Sequence, residues 1–149
     1  MFKPLFRSQR NRNLKRSRSC QPRIEWMEPR TLLSAVTWTG GGGDNNWDTA
    51  ANWSTDSVPT SGDDVTINIA ANVVHSDNDD DSINSLTSIE PLTISGGTLS
   101  IASSSTIDST LSITGGTLTG TGDLSVSGLV TLTAGSLSGA SELNSNGGC

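Results

Sequence analysis

Short segments of alternating apolar and polar residues, most of them followed by a glycine pair, fill the second half of the chain. The clearest are residues 92–99, 111–118 and 130–137, which follow one another at a spacing of 19 positions. Alternation is typical of strands with one buried face, and a repeat of this length is typical of one coil of a solenoid. The pattern predicts an all-β fold, a right-handed parallel β-helix (β-solenoid) with coils of about 19 residues.

Overlaying the three segments predicts which side chains stack. Each coil should contain a strand, a corner at a glycine pair and a second strand, with Gly96 and Gly97 supplying positive φ at the first corner. Equivalent residues should lie about 4.8 Å apart along the axis, with Leu, Ile and Val inside and Thr and Ser outside. The predicted columns are Leu92/Leu111/Val130, Ile94/Ile113/Leu132 and Leu99/Leu118/Leu137, then, in a less regular later strand, Ser105/Leu124/Leu143 and Ile107/Val126/Ser145.

The chain divides into three predicted parts. Residues 1–35 form a disordered basic leader, residues 36–72 a tryptophan-containing N-terminal cap, and residues 73–149 about four coils of solenoid. Because solenoid arrays need terminal caps and none follows the last repeat, we expect the repeats to be truncated. The cap tryptophans, Trp38, Trp47 and Trp53, either plug the end of the solenoid or form a stacking platform for sugars.

Charge separates the leader from the rest. All nine Lys and Arg residues lie within the first thirty positions, whereas residues 31–149 contain thirteen acidic residues and His75. Such asymmetry indicates a targeting segment or a nucleic-acid-binding arm, but an acidic body would repel phosphates, so no nucleic-acid partner is predicted. The sequence also lacks a run of about 18 apolar residues, so no membrane span is predicted.

A nine-residue motif at the end of the leader, residues 27–35, resembles the "LEPR-x-LL" N-terminal sequence of planctomycete exported proteins. Its characteristic residues are Met27, in place of the usual Leu, Glu28, Pro29, Arg30, Leu32 and Leu33. The resemblance implies bacterial export and a large, repetitive surface protein. A basic region, an apolar patch and small residues also follow one another in the order of a secretory signal, which predicts cleavage near Ala35.

The segment from Val36 to Ile69 carries a second resemblance. It is similar to the W-G, NW, A-x-NW, P and GD-x-V-x-I block that opens bacterial extracellular β-helix and autotransporter-like repeat regions. This resemblance implies that β-helix repeats follow.

Residues suited to catalysis are sparse. A β-helix lyase resembling the pectate lyase family would use Arg or Lys to remove a proton, and the predicted exported part has neither. A glycosidase needs two facing carboxylates, whereas Asp108 and Asp123 occupy different positions in their coils. The only histidine, His75, follows Val74 and is expected to be an ordinary strand residue. We therefore predict that the chain is not an enzyme.

An acidic run is the one candidate for a metal. Asp77, Asp79, Asp80 and Asp81 offer the oxygen ligands that Ca²⁺ prefers. The run lacks the glycine and distal glutamate of an EF-hand loop and the nonapeptide of calcium β-rolls. A solvated acidic turn is the favoured interpretation, and no cofactor other than this candidate Ca²⁺ is considered.

These observations favour a secreted or cell-surface structural or adhesive module without catalytic activity. Its expected partners are surface polysaccharide or another cell-surface protein, and end-to-end self-association is a further expectation. One alternative is the N-terminal part of a carbohydrate-active surface enzyme whose catalytic region lies beyond residue 149. A third hypothesis is a nucleic-acid binder that keeps its basic arm. A longer reading frame would distinguish the first two, and retention of the arm would favour the third.

Overall fold

Short β-strands joined by tight corners make up the described part of the chain. The computed structural model describes residues 33–139 and 142–147, so residues 1–32 of the predicted leader, with every characteristic residue of the export motif except Leu33, lie outside the described residues. The strands are β1 (Ser34–Thr37), β2 (Asp63–Ile67), β3 (Val73–His75), β4 (Asp80–Ile83), β5 (Ser85–Ser88), β6 (Leu92–Ile94), β7 (Thr98–Ile101), β8 (Ser105–Ile107), β9 (Leu111–Ile113), β10 (Thr117–Gly120), β11 (Leu124–Val126), β12 (Val130–Leu132), β13 (Ser136–Ser138) and β14 (Leu143–Ser145). A 3-10 turn, Ala50–Asn52, lies between β1 and β2.

From β3 onward, successive strands belong to three different sheets, which then repeat in the same order. β3, β6, β9 and β12 form one sheet, and β4, β7, β10 and β13 form the second. β5, β8, β11 and β14 belong to the third, which β1 and β2 extend to six strands. Neighbouring strands within each sheet pair in parallel. The predicted parallel β-solenoid of about four coils is confirmed, with three strands in each coil.

The predicted columns are also confirmed. Ile113 pairs with Ile94 on one side and with Leu132 on the other, and the remaining columns pair with the same 19-residue offset. Inward-facing side chains of the middle coils are buried, as in the alternation of buried and half-buried residues along β6 and β9. In the fourth coil, Leu132 is 56% exposed because no described coil packs on its outer side.

The glycine pairs are needed for the predicted positive φ at Gly97 and, at the other positions, for the close approach of stacked corners. Gly97 has a φ of 56°, as expected, but Gly96, Gly115 and Gly116 have no positive φ in the left-handed region. A Cβ on Gly115 would overlap the carbonyl oxygen of Ser95, and one on Gly116 would overlap that of Gly96. Stacked corners thus approach so closely that only glycine leaves room for the neighbouring backbone.

The predicted cap is continuous with the solenoid. β1 pairs with β2, and β2 pairs with β5, so this segment lengthens one of the three sheets. Residues 45–47 run beside β3, where the Trp47 amide donates to the Val74 carbonyl at 2.9 Å and the Val74 amide donates to the Asn45 carbonyl at 2.9 Å. The segment therefore also covers the edge of β3.

The first strand begins inside the region predicted as leader. Ser34 is paired with Asp63 and Ala35 with Asp64, and the Ser34 amide donates to the Gly62 carbonyl at 3.1 Å. The unit that holds the described residues spans Thr31–Cys149. The folded part therefore begins before the predicted boundary at residue 35.

The three cap tryptophans form one buried cluster. Trp38, Trp47 and Trp53 are 1%, 0% and 1% exposed. Trp53 meets the other two rings edge to face, with centroid distances of 4.9 Å to Trp38 and 4.7 Å to Trp47. Its indole Nε1 donates to the Trp47 carbonyl oxygen at 2.7 Å. A sugar platform requires exposed ring faces, so this arrangement agrees with the plug hypothesis.

Candidate functional site

Two polar residues occupy interior positions of the first coil. His75 pairs with Ile94, in the column that continues to Ile113, and Asp81 pairs with Leu99, in the column that continues to Leu118. The register therefore points both side chains towards the core, where later coils carry Ile and Leu. His75 is fully buried. Histidine and aspartate destabilise an apolar core unless their polar atoms have partners. The first coil therefore differs from the later coils in placing two polar residues in columns that are otherwise apolar.

A one-residue shift at a corner brings Asp81 into this position. β3 pairs with β6 at an offset of 19, as for Val73 and Leu92, whereas β4 pairs with β7 at an offset of 18, as for Asp81 and Leu99. The corner between β3 and β4 therefore contains one residue more than its counterpart in the next coil. A strict 19-residue repeat would have placed Asp80 opposite Leu99.

Hydrogen bonds fix the orientation of the His75 ring. Its Nδ1 lies 2.9 Å from the carbonyl oxygen of Gly96, and its Nε2 lies 3.0 Å from Asp81 Oδ2. A carbonyl oxygen only accepts, so Nδ1 must carry the hydrogen. In a neutral imidazole, Nε2 then presents a lone pair to the Asp81 carboxylate, which also only accepts. The contact between His75 Nε2 and Asp81 Oδ2 therefore requires a proton on one of the two groups or a cation between them.

Asp48, on the loop between β1 and β2, is the third member of the cluster. Ligand atoms of Asp48, His75 and Asp81 all lie within 4.8 Å of one another. Burial, and then the neighbouring Asp81 carboxyl, raise the pKa of Asp48 to about 6, with His75 opposing part of the shift. Asp48 Oδ2 is buried without a hydrogen-bond partner. The Asp48 and Asp81 carboxyl groups could share a hydrogen bond only if one of them were protonated.

The four aspartates of the predicted Ca²⁺ candidate do not all lie at one site. Asp77, Asp79 and Asp80 are exposed, whereas Asp81 points inward and joins Asp48 and His75. Sequence reasoning had no signal for Asp48, which lies 33 positions before Asp81 on a different segment. For His75 a signal exists, because the 19-residue overlay places it in an isoleucine column.

Asn52, Ser88 and Ser105, the other buried polar residues, are hydrogen-bonded to nearby backbone or side-chain atoms, whereas the buried indole Nε1 atoms of Trp38 and Trp47 have no hydrogen-bond partner. Ser88 Oγ donates to the Glu90 carbonyl at 2.8 Å, and Ser105 Oγ donates to the Ser103 carbonyl at 3.0 Å. Asn52 Nδ2 donates to Asp44 Oδ1 at 2.7 Å, and its Oδ1 accepts from the Gly42 amide at 2.9 Å. Asp48, His75 and Asp81 differ from these residues because atoms that can accept hydrogen bonds lie close together in the cluster.

A second acidic group joins β2 to the next coil. Asp64 Oδ1 accepts hydrogen bonds from Asn84 Nδ2 and from Ser85 Oγ, both at 2.6 Å. The Ser85 hydroxyl, and then the Asn84 amide, lower the pKa of Asp64 from its ordinary value. The folded protein therefore holds Asp64 ionised at a pH where the unfolded chain protonates it.

This shift predicts acid sensitivity. Below about pH 4 the unfolded chain binds a proton at residue 64 before the folded chain does, so the contribution of Asp64 is present above that pH and is lost as the pH falls. We expect Asp64→Asn to flatten the decline of the thermal midpoint between about pH 4 and pH 2. The exposed Asp123→Asn variant removes the same charge and should keep the parent profile. Superimposable profiles of parent and Asp64→Asn would contradict the assignment.

Two cavities among the described residues are respectively too small and too open to suggest a ligand site. One lies where the column containing Ile101 continues with Gly120, and it encloses about 10 Å³. That volume is at the lower limit for a single water molecule. The other lies at the open side of the fourth coil, beside Leu137 and Leu143.

The fold and the cluster define the chain as a parallel β-solenoid whose first coil is closed by a tryptophan-containing segment. Comparisons with protein-family models, with curated proteins and with solved structures found no match to the chain. Within residues 33–139 and 142–147, there is no helix of the length and apolar character needed to cross a membrane.

Proposed function

We propose that the chain is a secreted or cell-surface structural or adhesive module of bacterial origin and that it is not an enzyme. The observation that carries the proposal is the chemistry of the outer faces, where hydroxyl side chains stack coil upon coil. The ladders are Thr93/Ser112/Thr131, Thr98/Thr117/Ser136 and Thr87/Thr106/Ser125. Uncharged hydroxyl ladders can donate and accept hydrogen bonds, which suits a surface polysaccharide or another surface protein.

The charge distribution supports export. Every Lys and Arg residue precedes residue 31, and the motif of residues 27–35 resembles a planctomycete export signal. A basic leader ahead of an acidic, hydroxyl-rich solenoid is the arrangement expected of an exported repeat protein. A solenoid also buries only a thin core, so it suits a chain in which apolar residues make up 32%.

The ionisable groups of the described residues support a non-catalytic role. His75 is fully buried in this structure, so a large substrate does not reach it. Asp108 accepts a hydrogen bond from Ser127 Oγ in the next coil at 2.8 Å. The residue stacked above Asp108 is therefore a serine, whereas a glycosidase needs a second facing carboxylate.

Export is tested by expressing the full chain in a planctomycete host and sequencing the N-terminus of the extracellular protein. We expect a start within a few residues of Ala35, with the basic leader absent. A variant with Glu28, Pro29 and Arg30 replaced by alanine should accumulate inside the cell, whereas an Asp123→Asn control should be exported. Extracellular protein that starts at Met1, or no extracellular protein, would overturn the export proposal.

Binding and turnover are tested with the same exported material. Co-sedimentation with insoluble cell-surface polysaccharide of the host is expected, without release of reducing sugar over a prolonged incubation. Reducing-sugar release by the purified protein would overturn the non-enzymatic part of the proposal and favour the carbohydrate-active alternative.

A further inference from the structure

We propose that Asp48, His75 and Asp81 bind one divalent transition-metal ion, for which Zn²⁺ is the best fit, and that the ion fastens the tryptophan cap to the first coil. The three ligands come from the loop between β1 and β2, from the end of β3 and from β4. A shared ion would therefore join Asp48, on the loop of the cap, to two consecutive strands of the first coil. The proposal concerns a site other than the hydroxyl ladders and does not depend on export.

The positions of the ligands argue against an ordinary surface cluster. His75 and Asp81 occupy interior columns that continue as isoleucine and leucine in the later coils. The His75 side chain is 0% exposed and that of Asp81 is 18% exposed. Removing a carboxylate and an imidazole from water is costly unless they are paired or coordinate a metal. Apolar residues at these two positions would have completed the core without that cost.

The hydrogen-bond pattern leaves three acceptors facing one another. Nδ1 of His75 is committed as a donor to the Gly96 carbonyl, so Nε2 of the neutral ring offers a lone pair to Asp81. Asp48 Oδ2 is buried beside them without a hydrogen-bond partner. No Lys or Arg follows residue 30, so this part of the chain supplies no fixed cation. One divalent ion would satisfy all three atoms and neutralise both carboxylates.

The distances fit a small ion. In a tetrahedral site, ligands that bind zinc at about 2.0–2.2 Å lie about 3.3–3.6 Å apart. The 3.0 Å separation of His75 Nε2 and Asp81 Oδ2 is about 0.3 Å shorter than the lower end of this range, so a small shift of either side chain would admit the ion. The ligand atoms of all three residues lie within 4.8 Å of one another, and rotation of the Asp48 carboxyl group would bring its oxygen to the ion. The bond from Nδ1 to a backbone carbonyl is the usual second contact of a metal-binding histidine.

The ligand set also selects the class of ion. Ca²⁺ takes six to eight oxygen ligands, whereas an imidazole nitrogen with two carboxylates suits zinc and neighbouring transition metals. The site would differ in both ligands and metal from the Ca²⁺ candidate at residues 77–81, with which it shares only Asp81. Three protein ligands leave one position of a tetrahedral ion for water or for a second carboxylate oxygen.

Calorimetric titration of the metal-free full chain with Zn²⁺ tests the site. The two cysteines, Cys20 and Cys149, are first alkylated so that thiols do not compete, and the chain has no second histidine. We expect one ion per chain, with affinity weakened at least about tenfold in Asp48→Asn and in Asp81→Asn. Asp80→Asn removes the same charge from the same strand at an exposed position, and it should bind as the parent does. Zn²⁺ should also raise the thermal midpoint of the parent and of Asp80→Asn only.

A spectroscopic measurement on the unmodified sequence remains available if the variants unfold. The single imidazole gives one pair of ¹⁵N NMR signals, so its state can be assigned without ambiguity. Added Zn²⁺ should shift Nε2 to the position of a metal-bound nitrogen while Nδ1 keeps its hydrogen. Three outcomes would overturn the proposal: an imidazole that stays protonated at both nitrogens in saturating Zn²⁺, the absence of saturable binding, or binding by Asp48→Asn and Asp81→Asn as tight as that of the parent.

Discussion

Replacing Ile113 by aspartate is expected to unfold the solenoid. Ile113 is 0% exposed, and its column continues to Ile94 on one side and Leu132 on the other. An aspartate there would bury a charge among apolar side chains, at a cost on the order of 4 kcal/mol. Because each coil contacts only its neighbours, damage to the third coil removes the support of both adjoining coils. Loss of the far-ultraviolet β-sheet circular dichroism signal, together with a fall in the urea midpoint, measures the effect.

Thr114 provides the matched control, since it follows Ile113 directly and its side chain is exposed. Thr114→Asp adds the same charge to the same corner without burying it, so we expect a change within about 0.5 kcal/mol. Equal tolerance of the two substitutions would contradict the register of the solenoid. Equal destabilisation by both substitutions would indicate that the added charge destabilises the fold whether or not it is buried.

The register of the strands could be predicted from the sequence because two features determine it: the 19-residue offset and the alternation of apolar and polar residues. The 19-residue offset aligns Leu92 with Leu111, and alternation then fixes which side chains face inward. Both signals are local, so they need no knowledge of distant contacts. At Gly96 the predicted positive φ is wrong, because glycine is needed there for the close approach of the preceding corner, a contact between coils that a turn rule does not contain.

The His75 cluster shows where such reasoning ends. Extending the 19-residue overlay one coil upstream would place His75 at the level of Ile94, but a lone histidine beside a valine does not by itself identify its partners. Asp81 was hidden by the extra residue in the corner before β4, since a strict repeat makes Asp80 the inward residue. The approach of Asp48 depends on how a long loop folds over the first coil, and no periodic pattern describes that loop.

Replacing Trp53 by alanine is expected to destabilise the cap almost as much as a buried charge destabilises the third coil. Trp53 lies between Trp38 and Trp47, and its indole nitrogen donates to the Trp47 carbonyl oxygen. Truncation removes two edge-to-face contacts and leaves that oxygen unpaired in a cavity, which together cost about 3–5 kcal/mol. Urea unfolding followed by tryptophan fluorescence and by circular dichroism measures the loss.

The same variant also distinguishes the two hypotheses for the tryptophans. Because Trp53 is 1% exposed, its ring packs against protein and is not available to a sugar, so the variant should lose stability together with any polysaccharide binding. Ile89→Ala, which trims a side chain that is 51% exposed, should leave both properties near the parent values. A Trp53→Ala protein with unchanged stability and selectively lost sugar binding would instead favour the stacking platform. Stability lost by the expected amount places Trp53 in the plug, where it covers the end of the first coil that the repeat itself leaves open.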